Sequence, residues 1–126
     1  MRLITPSKWL ADLVKQSFLA KYDVEVVHNT VDISVFKPTL SDFRARYGIG
    51  DRFMVLGVAS KWTERKGLQD FVHLAHELDS KRFAVVVVGL NENQINELNG
   101  ELIALPKTSS PEELAGIYTA ADVFFN

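Results

Sequence analysis

The chain has 126 residues, 47% of them hydrophobic, a formal net charge of −2 and no cysteine. That length suits one compact domain and is too short for two ordinary ones. The charge balance excludes a general attraction to nucleic acid, so any anion site must be local, and the lack of cysteine excludes disulfides and thiol chemistry. A reducing compartment fits this composition without being proved by it.

No apolar run approaches the roughly 20 residues of a membrane helix, and Met1 to Pro6 lacks the apolar core of a signal peptide. Leu3-Ile4 is too short to assign, and Thr5-Pro6-Ser7 breaks it. Thr5 or Ser7 can cap the helix that follows, in which Trp9, Leu10, Leu13, Val14 and Phe18 make one apolar face. Val24 to Val27 reads as a short strand leading into the polar turn His28-Asn29-Thr30-Val31-Asp32. Ser41 to Tyr47 reads as a short helix, with Phe43 and Tyr47 one turn apart and Gly48 as its left-handed stop.

Phe53 to Ala59 is a nearly unbroken apolar run, as in a strand buried on both faces of a parallel sheet. It runs into Ser60-Lys61-Trp62-Thr63-Glu64-Arg65-Lys66-Gly67, after which Leu68, Phe71, Val72, Ala75 and Leu78 define an amphipathic helix. Phe83 to Val88 holds four consecutive valines, a strand that must turn at Gly89. Asn91 to Leu98 reads as a short helix and Leu102 to Leu105 as a strand ending at Pro106. Ser110-Pro111-Glu112-Glu113 starts a helix with Ser110 as cap and Glu113 closing a capping box; its inner face is Leu114, Ile117, Tyr118 and Ala121. Asp122 to Asn126 begins a further strand.

This alternation predicts an α/β fold: a Rossmann-like parallel sheet with helices on both faces. Ligands of such sheets bind outside the carboxyl ends of the strands. The loops predicted there begin at Ser60, Gly89, Pro106 and Asn126. The basic loop with Lys61, Arg65 and Lys66 therefore lies on the ligand edge, where a following helix N-terminus and full charges favour phosphate. A chain that stops on a fresh apolar strand reads as a piece of a longer protein. Its first helix then belongs in part to a preceding domain, with residues 1–22 as the link and 23–126 as a partial Rossmann-like domain.

With these segments in order, the chain resembles the C-terminal, donor-binding domain of glycosyltransferase family 4 enzymes of GT-B fold. The likeness rests on Ile4-Thr5-Pro6-Ser7-Lys8-Trp9-Leu10, and on His28-Asn29-Thr30-Val31-Asp32 with Phe36-Lys37-Pro38. It continues in Arg65-Lys66-Gly67-Leu68, in Val86-Val87-Val88-Gly89, and in Glu113-Leu114 through Ala121-Asp122-Val123. Thr30 stands where the family usually has glycine, and Lys61 falls where it has arginine, keeping charge but losing the bidentate fork.

The resemblance implies two parallel-sheet domains with a nucleotide-sugar donor between them, and makes 23–126 a partial nucleotide-sugar-binding domain. It implies Lys61 and Lys66 on the donor diphosphate, with Ser60, Gly67, Gly89, Pro106 and Lys107 as further donor- or base-binding positions. Solvated surface lysines are the plainer alternative for Lys61 and Lys66, and Arg65 is read as one. Trp62 is read as packing rather than a sugar platform. The family's Glu-x7-Glu carboxylates would lie after Asn126, so the catalytic residues are unknown. No cofactor or metal is expected, since the ammonium groups can stabilise the leaving diphosphate electrostatically, and His73 and His76 share an outer helix face without ligand company.

The expected function is that of a fragment, inactive by itself, of a retaining glycosyltransferase of polysaccharide or glycolipid biosynthesis. Its partners would be a nucleotide-sugar and a glycan or lipid-linked acceptor held by a missing domain. The expected setting is cytoplasmic, with peripheral attachment of the full-length protein at the inner membrane left open. Sugar, base, acceptor and oligomeric state stay open. A non-enzymatic doubly wound nucleotide-binding or regulatory module is the rival. A receiver would need an acidic cluster at a strand end, and a dehydrogenase a Gly-x-Gly-x-x-Gly loop after Ala59; this sequence has neither.

Overall fold

A computed structural model describes residues 1–125. The expectations for Asn126 lie outside the described residues. The chain packs as two compact units, residues 1–32 and a second beginning at Ile33.

The first unit is a single βαβ element. β1 (Arg2–Thr5) pairs in parallel with β2 (Asp23–Val26), and α1 (Lys8–Lys15) connects them. Ser7 caps α1, its hydroxyl accepting the Leu10 N–H at 3.2 Å. The predicted apolar face is only partly covered. Ala11 is buried, whereas Trp9 is 71% exposed and Phe18, lying beyond the helix end, 88% exposed. The physical reason is local: a two-stranded sheet covers one side of an eight-residue helix and no more.

The second unit is a four-stranded, all-parallel sheet in the order β5-β4-β3-β6. Its strands are β3 (Phe53–Val58), β4 (Phe83–Val88), β5 (Ile103–Leu105) and β6 (Val123–Phe124). β3 and β4 pair over their full length, Phe53 beside Phe83 through Val58 beside Val88, and Val88 pairs with Leu105. Alternation then sorts the side chains. Met54, Leu56, Ala84, Val86 and Val88 face a core with Phe43 and Ile117, from α2 (Phe43–Arg46) and α5 (Pro111–Ala120). Val55, Val85 and Val87 face a second core with Phe71, Val72 and Leu98, on the side of α3 (Leu68–Glu77) and α4 (Glu92–Glu97). Both faces are thus buried, as the apolar runs predicted. Full burial of Val86 and Val87 is worth about 1.5–3 kcal/mol each.

The element ends follow local chemistry. Gly48, at φ +60°, closes α2, with Gly48 N–H on Ala45 and Ile49 N–H on Arg44. Ser110 caps α5 through the Glu113 N–H. The reciprocal bond differs from expectation: the Glu113 carboxylate accepts from the N–H and hydroxyl of Ser109, one residue before the cap. The complete capping box lies instead on α4, between Asn91 and Gln94.

Candidate functional site

The parallel order places the predicted loops on one edge. Val58, Val88 and Leu105 end their strands in neighbouring register, so Ser60, Gly89 and Pro106 all start beyond the same edge of the sheet. From β3 the strand order runs through β4 to β5 on one side and to β6 on the other. The order therefore reverses between β3 and β6, and such a reversal opens a crevice at the carboxyl ends of the strands. The loop after β3 borders that point.

Within this loop Lys61, Thr63, Arg65 and Lys66 line a shallow depression of about 350 Å³. All four are exposed. Their cations converge without a carboxylate among the lining residues, and among the described residues none of the three forms a side-chain hydrogen bond or ion pair. Glu64–Lys66 forms a single 3-10 turn, and Gly67, at φ +70°, joins it to α3. That left-handed junction suits glycine whether or not a ligand is present. Ser60 is exposed at the start of the loop.

Gly89 has φ +100°, and a Cβ there would overlap the carbonyl oxygen of Ala59. The close approach that requires a glycine is thus made by the neighbouring loop. Pro106 and Lys107 are exposed, but they line a different cavity, of about 510 Å³, between α2, α5 and the end of β5. The structure therefore brings Lys61 and Lys66 together and sets Pro106 and Lys107 apart, two strands across the sheet, about 10 Å by strand spacing. Near that cavity the Glu113 carboxyl is held below the usual range, first by the Ser109 N–H and then by the Ser109 hydroxyl.

Trp62 is a core residue, as expected. It is 6% exposed and donates its indole N–H to the Val88 carbonyl at 2.9 Å. His73 and His76 are exposed on α3, with His76 Nε2 3.5 Å from Glu101. Two residues to which the sequence assigns no role at a site, Asp122 and Arg44, organise the opposite edge. Asp122 accepts from the Met54 N–H at 2.7 Å and from Arg44 at 2.6 Å, which fastens the start of β6 to the start of β3. Those bonds, the backbone one foremost, hold its carboxyl below the ordinary carboxylate range. Among the described residues no helix is long and apolar enough to cross a membrane.

No protein-family model matches the chain, and no curated protein matches it. Among solved structures it is similar to sucrose-phosphate synthase from Thermosynechococcus elongatus, with a TM-score of 0.71 at 18% identity. The match covers 98% of this chain and 34% of that one. The chain thus has the α/β, Rossmann-like architecture of part of a GT-B glycosyltransferase, and at this identity the likeness is one of fold.

Proposed function

We propose that this chain belongs to the donor-binding half of a retaining, family-4-like glycosyltransferase that moves a sugar from a nucleotide-sugar to a glycan or lipid-linked acceptor. The observation that carries the reading is the cluster of Lys61, Arg65 and Lys66 beside the β3–β6 reversal, with no carboxylate lining the depression. Lys61 and Lys66 grip the donor diphosphate in this reading. When the sugar–phosphate bond breaks, negative charge grows on the leaving phosphate oxygen, and two nearby ammonium groups lower that barrier without proton transfer. Such stabilisation asks for no resident metal or cofactor. Ser60 and Gly67 flank the phosphates. Gly89, Pro106 and Lys107 are the less direct candidates, because Gly89 is occupied by Ala59 and the other two line the separate cavity.

A chemical-shift titration of the chain with UDP, GDP and ADP tests the reading. Amides of Lys61 to Gly67 should move with at least one of them. If none of those amides moves at millimolar nucleotide, the donor-site reading is wrong. Uniform shifts at Lys107 and Thr108 alone would transfer the site to the other cavity.

A further inference from the structure

The basic loop has little of its own to hold it. Ala59 to Thr63 belongs to no helix or strand, and its clustered cations repel one another. Yet Trp62 is buried while Lys61 and Thr63 beside it are exposed. Its indole N–H reaches the last carbonyl of β4, that of Val88, which also accepts the Ala59 N–H at 3.2 Å. Its ring stands edge-on to Phe71, with centroids 5.4 Å apart. The Ala59 carbonyl in turn lies against Gly89, leaving no room for a side chain there. A phenylalanine at position 62 would keep a ring beside Phe71, but it would offer the Val88 carbonyl no donor.

We propose that Trp62 is the positioning residue of the basic loop. Its indole N–H on Val88 fixes where Lys61, Arg65 and Lys66 present their charges, so the loop binds anions as a preset cluster. Ordering the loop beforehand removes an entropic cost from binding. The anion-binding half of the proposal rests on the donor-site reading; the ordering half stands without a ligand.

The test compares Trp62→Phe, which keeps a ring but loses the donor, with Val72→Ala, a substitution in the same core that leaves the loop contact intact. Amide hydrogen exchange is read at Lys66 and Gly67, whose N–H groups bond the Thr63 and Glu64 carbonyls. After normalising to each variant's global stability, Trp62→Phe should speed exchange there by about 3- to 10-fold more than Val72→Ala. Equal rates would overturn the proposal. A wild-type measurement covers a Trp62→Phe variant that fails to fold. The Trp62 indole proton should exchange at least about 10-fold more slowly than that of exposed Trp9, and matching rates again overturn it. Titration with inorganic pyrophosphate and UDP should shift the Trp62 indole cross-peak, and Trp62→Phe should weaken binding by about 3- to 10-fold. Unchanged affinity in the variant overturns the preset cluster. No binding by the wild type, with the exchange difference present, removes the donor-site reading and leaves Trp62 as the loop's anchor.

Discussion

The two edges of the four-stranded sheet treat their cations in opposite ways. At the amino edge Arg44 donates to the carbonyls of Gly50, Arg52 and Ala120 and to the Asp122 carboxylate. Arg52 beside it donates to the carbonyls of Gly48, Ile49 and Ser80. Each planar guanidinium is spent on backbone that strand ladders leave unpaired. At the carboxyl edge Lys61, Arg65 and Lys66 stand exposed around one depression. The difference separates two uses of positive charge. Charge committed to carbonyls holds the strands in place, and charge left in solvent is available to an incoming anion.

Removing the committed charge should cost the most. Arg44→Ala strands three carbonyls and a carboxylate and should lower the unfolding free energy by about 2–4 kcal/mol in urea titrations. Diphosphate affinity of the folded fraction should not change; a parallel loss of affinity would mean that the edges are not separable. Lys66→Ala should do the reverse. Stability should stay within about 0.5 kcal/mol, while affinity for UDP or pyrophosphate falls about 10-fold. A destabilised Lys66→Ala with normal affinity would place Lys66 among the structural cations.

The smallest effect is a pH dependence. The folded Asp122 carboxyl lies below its ordinary value, so its contribution is complete above about pH 4 and fades as the pH falls through the folded value. Asp122→Asn should therefore flatten part of the acid slope of stability below about pH 4. Some slope should remain from Glu113, whose carboxyl is lowered by Ser109. An acid profile parallel to that of the wild type would show that the Asp122 charge does not fasten β6.

The core strands were legible because burial on both faces demands uninterrupted apolar residues, as in Met54 to Gly57 and Ala84 to Val88. β1 was not, because only Thr5 of its four residues is buried. The apolar face of α1 is legible in the spacing, but spacing shows only that Trp9 and Phe18 are apolar, not that anything in the unit covers them. The basic loop was visible as composition and its edge as topology. The Trp62 bond to Val88 spans 26 positions and that of Arg44 to Ala120 spans 76, so neither leaves a local pattern. Arg44 in particular reads as one more surface charge on a short helix. Which cation is committed depends on where distant carbonyls end up.

Gly57 is the penultimate residue of β3, where glycine is otherwise a poor strand residue. A Cβ there would come within 2.5 Å of the Phe71 ring. That ring is also edge-on to Trp62 and, at 5.7 Å, to Phe125. Gly57 and Phe71 are therefore sterically coupled. A methyl group at 57 requires the Phe71 ring to shift or shrink, and either change alters the shared neighbour of Trp62 and Phe125. A substitution at Gly57 is therefore felt through Phe71 at Trp62 and Phe125 as well, so the side of β3 that faces α3 sets the packing under the loop it precedes.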